Sequence, residues 1–239
     1  MFKLRKKNKV DNESMQNGVR MVAVGKSKDI NTEKFNTIRT NIQFSSVDKK
    51  YTSLLITSSI MSEGKSTVSA NIAGSYAKSG KRVLLVDVDL RRPTLQSTFQ
   101  VSSLTGLTKY LSDKSIGLDN IIFKTTLSNL YIIPSGPIPP NPSELLQSKR
   151  MYKLMLDLAA NFDLVIYDAP PVLDVADAQI LCNKVDGTIL TIRQNYTDKA
   201  LVKKATDSLR KVQGNIIGAV LNDIKEIDSN GYYGYGYYK

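Results

Sequence analysis

With 239 residues, 41% of them hydrophobic, the chain can bury a substantial core, and its length sets a prior of one or two domains, of which one is the better reading. No histidine and a single cysteine, Cys182, exclude Ser-His-Asp catalysis, imidazole bases, histidine-bearing zinc sites and an internal disulfide, and fit a reducing compartment. The formal charge of +11 suits an anionic membrane surface or an acidic partner, whereas no basic motif interleaved with aromatics points to nucleic acid and no apolar run approaches the ~18 residues of a spanning helix.

Residues 1–29 read as a flexible basic segment. Lys3, Arg5, Lys6, Lys7 and Lys9 concentrate positive charge at its start, suited to weak contact with a membrane surface, without the apolar stretch of a secretory signal. Asn12 to Lys28 is polar and turn-rich, a loose lead-in. Asn31 to Ser45, with Phe35, Ile38 and Ile42 at helical spacing, predicts an amphipathic helix. A strand-like run follows from Thr52 and breaks at Ser59 into a polar turn ending in Gly64-Lys65-Ser66-Thr67. The next helix spans 66–79, with Gly80 as its stop signal. A buried strand, Val83 to Val86, runs into Asp87-Val88-Asp89-Leu90-Arg91-Arg92-Pro93. A short helix over 106–111 and a strand over 130–133 precede Pro134 to Pro142, where five prolines in nine residues predict a stiff loop that holds its shape without hydrogen bonds. One helix is expected from Ser143 to about Ala160. Strand Phe162 to Tyr167, ending in Asp168-Ala169-Pro170-Pro171, helix 176–184, strand 187–192, helix 198–212 and strand 216–221 complete the alternation. Such alternation implies an α/β fold, a mostly parallel sheet with right-handed crossovers and helices on both faces.

Three features of this pattern carry chemistry. Backbone N–H groups at a helix N-terminus, a lysine for the β and γ oxygens and a hydroxyl for Mg²⁺ are what a triphosphate needs, and the turn before Thr67 supplies all three. In the P-loop pattern the first glycine falls on Ser59, which makes the turn if its φ stays negative. Asp87, Asp89 and Asp168 leave apolar strands at their carboxyl ends, the side on which α/β sheets bind ligands, so with Lys65 they can converge on one metal-nucleotide. Lys65 itself reads as an exposed phosphate ligand with no part in the core. Finally, residues 231–239 carry five of the twelve tyrosines, Tyr232, Tyr233, Tyr235, Tyr237 and Tyr238, between glycines that oppose regular structure. Residues 229–239 are therefore a flexible tail outside the unit formed by 30–228, and beside a nucleotide site its phenols look like phosphoacceptors.

These motifs together, with PSGPIPPNPSELL and GAVLND, resemble the bacterial tyrosine kinases of exopolysaccharide and capsule biosynthesis, in the form of a separate cytoplasmic kinase of Gram-positive type. The resemblance covers about Asn31 to the C-terminus. It implies a P-loop NTPase fold, ATP and Mg²⁺, tyrosine autophosphorylation between subunits of a ring-like homo-oligomer, and a membrane-anchored activator that recruits the kinase to the inner face of the membrane. It further implies that Ser59, Ser62, Glu63, Gly64, Lys65, Ser66 and Thr67 form the phosphate loop and that Ser66 and Asp168 order the metal. Asp87 and Asp89 share metal binding and acceptance of the tyrosine proton, with Asp87 preferred as base, and Asn222 meets the adenine.

Two departures stand out. Met61-Ser62 replaces the family's Pro-Gly, which predicts a looser loop or altered nucleotide affinity. The oligomer helix shows Glu33, Asn36 and Arg39 where the family has Glu-x-x-Arg-x-x-Arg, which bears on ring strength. Two other readings compete: a non-catalytic ATP-dependent assembly switch, and a partition-type P-loop ATPase. The second requires a lysine where Ile60 stands.

Overall fold

The computed structural model describes residues 14–24, 30–45 and 50–224. Seven strands form one sheet: β1 (Ser53–Ser58), β2 (Val83–Asp87), β3 (Phe123–Lys124), β4 (Leu130–Ile133), β5 (Leu164–Asp168), β6 (Gly187–Arg193) and β7 (Ile216–Asn222), in the order β3-β4-β2-β5-β1-β6-β7. All neighbours are parallel except β3 and β4. The helices are α1 (Ile30–Phe44), α2 (Lys65–Lys78), α3 (Leu95–Thr98), α4 (Leu107–Ser112), α5 (Pro142–Gln147), α6 (Lys149–Asn161), α7 (Asp177–Cys182) and α8 (Lys199–Lys211).

Because side chains alternate across a strand, β1 sends Leu54 and Ile56 into the core that contains α2 and Ile42 of α1, while Leu55 enters the other core with Leu146, Leu154, Leu181 and Leu209 of α5 to α8. A sheet covered on both faces needs continuous apolar strands, and β1, β2 and β5 are buried at every position.

The differences from the sequence reading have local causes. The helix expected over 143–160 is two helices, because Ser148, at ψ 150°, caps α6 by accepting the Met151 N–H at 3.1 Å. The proline-rich loop does use hydrogen bonds: the Pro134 and Ser135 carbonyls accept the Leu107 and Thr108 amides at 2.9 and 2.8 Å, and Gly106 lets the two segments touch, since a Cβ there would stand 2.4 Å from the Pro134 oxygen. Residues 14–24 are not loose: Ala23 is buried, and the segment bonds to α1, α2 and α3. The tail tyrosines and the basic cluster before residue 10 lie outside the described residues. Among the described residues no helix is long and apolar enough to cross a membrane.

Candidate active site

The sheet places the site. β1 lies between β5 and β6 and ends at Ser58, so the loop 59–64 emerges between the ends of those two strands, and α2 returns with its first turn open to the crevice. Two loop residues turn left-handed: Gly64, at φ 87°, and Ser62, at φ 64°. At Gly64 a side chain is excluded twice over, because a Cβ would also meet the Asn222 amide nitrogen at 2.1 Å. Ser62 carries a left-handed cost that glycine would not. Ser59 keeps a negative φ, as the turn requires, and its hydroxyl is buried without a partner.

The loop is braced from β6 and β7. Asn222 donates its amide to the Glu63 carbonyl at 3.0 Å, and Arg193 reaches the Ser62 carbonyl at 3.3 Å. The Glu63 carboxylate points into the protein, accepting the Ile60 N–H at 2.7 Å and the Thr197 hydroxyl. Glu63 and Asn222 therefore shape the loop from behind in the structure described.

Lys65 is not exposed. Its side chain is 13% accessible, with Nζ 2.8 Å from Asp89 Oδ2, 3.8 Å from Asp168 Oδ1 and donating to Ser66 Oγ at 3.2 Å. The sequence reading missed this burial because Asp89, just beyond β2, and Asp168, at the end of β5, are distant from Lys65 in the chain. Burial works against the Lys65 charge, but Asp168 and then Asp89 outweigh it and hold its pKa above the usual lysine value. Asp168 Oδ1 also accepts the Ser69 hydroxyl at 3.1 Å, and its Oδ2 is buried without a partner. Burial raises the Asp168 pKa in spite of Lys65. Asp87 is fully buried, its Oδ2 accepting the Thr94 and Leu95 amides at 3.1 Å each and its Oδ1 the Asp89 amide at 3.2 Å. Burial first, then repulsion from Asp168 and Asp89, pushes its pKa well above the carboxylate range.

A cavity of about 420 Å³ opens beside this cluster. Ser62, Gly64, Lys65, Ser66, Thr67 and Asp89 line it, whereas Asp87, Asp168, Ser59, Glu63 and Asn222 do not. Glu33, Asn36 and Arg39 lie apart on α1, where Arg39 donates to the Ser75 carbonyl at 2.8 Å and Asn36 accepts the Ser75 hydroxyl at 3.0 Å. Sequence reasoning passed over Asn71, Thr98 and residues 14–19; only the cluster of hydroxyl and amide side chains on one side of α2 hinted at them.

A lysine cation at the start of α2, a glycine-turned loop and paired carboxylates at the carboxyl ends of parallel strands define the class: a P-loop NTPase, built to handle ATP. Comparison with known proteins narrows it. Residues 62–220 match the AAA domain family. The chain is 43% identical to tyrosine-protein kinase YwqD of Bacillus subtilis (strain 168) over 215 residues, 90% of each chain, and 40% identical to the putative tyrosine-protein kinase CapB of Staphylococcus aureus, over 89% of this chain and 92% of that one. Among solved structures, the kinase domain of Escherichia coli tyrosine kinase ETK superposes with a TM-score of 0.83 at 33% identity, covering 91% of this chain and 85% of that one. The chimerical protein CapA2B2 gives 0.81 at 33%, covering 90% and 98%. The septum site-determining protein MinD of Pyrococcus horikoshii, solved with Mg-ADP, shares the fold alone, with a TM-score of 0.61 at 24% identity over 71% of this chain and 69% of that one. The chain belongs to the bacterial tyrosine-protein kinases.

Proposed function

We propose that the chain is an ATP-dependent autokinase that phosphorylates the tail tyrosines, Tyr232, Tyr233, Tyr235, Tyr237 and Tyr238, of a neighbouring copy, and that it serves exopolysaccharide or capsule synthesis. The observation that carries this is the Lys65 clamp: an ammonium held by Asp89 and Asp168 at the open N-terminus of α2, facing a cavity large enough for an acceptor side chain.

In the reaction the tyrosine oxygen forms a bond to the γ phosphorus as the bond to the β–γ bridging oxygen breaks; ADP leaves and the phenolic proton passes to a carboxylate. The chain's own part is to cradle the phosphates on the loop amides, neutralise their charge with Lys65 and align the phenol. Thr67 meets the α phosphate and Asn222 the adenine. The residues present fit Mg²⁺. Ser66 supplies a hydroxyl and Asp168 a buried oxygen with no other partner, with Asp89 nearby. Among the described residues no group of three or more acidic or cysteine side chains forms a metal cage of its own. An ion held there by Ser66, Asp168 and Asp89 would supply charge withdrawal from the phosphates.

For the proton, Asp87 remains the assigned base, because Asp89 is tied to Lys65 at 2.8 Å. Glu33, Asn36 and Arg39 are proposed as the contact between copies in a ring, with Asn36 weakening it. Recruitment to the membrane's inner face by an anchored activator, with a minor contribution from the basic cluster Lys3 to Lys9, completes the reading. Purified chain incubated with labelled ATP, with and without an activator fragment, and mapped by mass spectrometry tests it. Phosphate on the tail tyrosines is expected; tight ATP binding with no phosphotyrosine would make the chain an assembly switch instead.

A further inference from the structure

The cavity beside Lys65 is closed on one side by a segment outside the strand–helix alternation. A helical turn at residues 14–17 leads to Gly18, at φ 73°, where a Cβ would stand 2.5 Å from both N and Cα of Thr98. Val19 N donates to Thr98 Oγ1 at 3.0 Å, and Ser97 donates to the Met15 carbonyl. Asn71, fully buried on α2, accepts the Ala23 amide at 2.7 Å and donates to the Arg20 and Thr67 carbonyls at 2.8 Å each. Thr32 of α1 donates to the Val22 carbonyl at 3.0 Å. Three helices thus fix this strap along its length, and Asn71 ties it to the P-loop helix beside Thr67.

Met15 and Val19 line the cavity together with Met61, Pro171 and Val175. The cavity lies on the β2–β5 side of the P-loop and takes no residue from β6 or β7, at whose end Asn222 stands. A triphosphate laid along the loop, with Lys65 on its terminal oxygens, points its γ end toward Asp89 and Asp168, into this cavity. The group that attacks it must arrive through the same space.

We infer that residues 14–19 form the outer wall of the acceptor site, Met15 and Val19 holding the ring of the incoming tyrosine while Lys65 and Asp89 lie toward its hydroxyl. The inference rests on the autokinase reading. An apolar wall rewards an aromatic ring and is left bare by serine or threonine, so it favours a phenol over an aliphatic alcohol. Glycines beside the tail tyrosines, Gly231, Gly234 and Gly236, let the backbone pass this wall without side-chain collision.

The test uses the full chain with its five tail tyrosines replaced by Phe, so that only added acceptors react. Two are offered: the peptide of residues 231–239, and N-acetyltyrosine amide as a bare phenol. Gly18→Val, which pushes the strap from α3, is expected to raise the KM of both acceptors about tenfold with kcat within about twofold, while the affinity for a fluorescent ATP analogue is unchanged. Thr98→Val removes one hydroxyl from the anchor and is expected to act in the same direction; an effect due to misfolding of Gly18→Val would not be reproduced in it. Unchanged acceptor KM overturns the inference. So does an equal loss of acceptor and nucleotide affinity, which would make the strap a wall of the nucleotide site. An inert peptide beside a reactive small phenol refutes the tail as acceptor and leaves the strap to be judged on the phenol. If neither accepts phosphate from the parent chain, both readings fall.

Discussion

Asp87 and Asp168 face each other as the last rung of the β2–β5 ladder, two carboxylates side by side and both fully buried. The cation clamped nearest to them is Lys65, 3.8 Å from Asp168 and 2.8 Å from Asp89. Negative charge is thereby gathered at the strand ends beside the phosphate loop, where the proposed metal ion would be received, at a cost to the stability of the empty protein.

Removing one of those charges should therefore stabilise the chain. The folded pKa of Asp168 is raised, chiefly by burial, so its stabilising contribution is complete below the ordinary carboxyl value of about 3.9 and is lost as pH rises through the raised value. At pH 7 Asp168→Asn, without nucleotide or Mg²⁺, is expected to melt about 2–4 °C higher than the parent, the change expected for about 1 kcal/mol in a chain of this size. The difference should shrink as pH falls toward 4. A lower melting temperature at pH 7 would mean that the Lys65 and Ser69 contacts outweigh burial.

Lys65→Met should abolish phosphotransfer and, because the lysine is buried among carboxylates, should also destabilise the protein, by roughly 3 kcal/mol on the scale of broken buried ion pairs. Adding Asp168→Asn should recover part of that loss. A double-mutant cycle by denaturant melts reads the coupling directly; additive effects would show that the pair is not coupled.

Asp87 combines two roles that different substitutions separate. Its Oδ2 accepts the first amides of α3, so Asn, which keeps an acceptor, should fold better than Ala by about 1 kcal/mol. Both should lose turnover at saturating Mg²⁺, whereas Asp89→Asn and Asp168→Asn should mainly raise the Mg²⁺ required. If metal rescues Asp87→Asn as well as Asp89→Asn, Asp87 is not the base.

The sheet and phosphate loop were legible because they rest on local signals: apolar runs of strand length, Gly-Lys-Ser-Thr at a helix start, and aspartates at strand ends. β3 escaped because two residues, Phe123 and Lys124, show no period, and α3 because its N-terminus is capped by Asp87, seven and eight residues back in the chain. The docking of residues 14–24 was illegible for a related reason. The strap interleaves Ser14, Gln16, Asn17 and Arg20 with Met15, Val19 and Met21, and what fixes its backbone are side chains of Asn71 and Thr98 meeting its amides.

Ser62 sits where a glycine would relieve the left-handed backbone, yet the gain is small. Removing roughly 1 kcal/mol of strain is offset by the similar entropic cost of glycine in the unfolded chain, so Ser62→Gly should leave stability within about 0.5 kcal/mol. Ser62→Val, β-branched at φ 64°, should lose more than 1 kcal/mol and weaken ATP binding. Equal melting of Val and Gly variants would show that the loop relaxes out of this conformation, the looser behaviour that Met61-Ser62 suggested.

Replacing Tyr232, Tyr233, Tyr235, Tyr237 and Tyr238 together by Phe separates an acceptor from a merely adhesive tail. Aromatic surface and the intervening glycines are kept; every hydroxyl is deleted. Self-phosphorylation should nearly vanish while ATP binding persists. Each phosphate would add about −1.5 to −2 charges, and a tail modified several times would be repelled from a site that already holds Asp87, Asp89, Asp168 and an anionic triphosphate. With activator and Mg²⁺-nucleotide, the unphosphorylated chain should sediment as a larger species than the phosphorylated one, and the all-Phe chain should remain in the larger form. Normal phosphotyrosine in that variant would place the acceptors elsewhere; sedimentation indifferent to phosphate would show that charge on the tail does not control assembly.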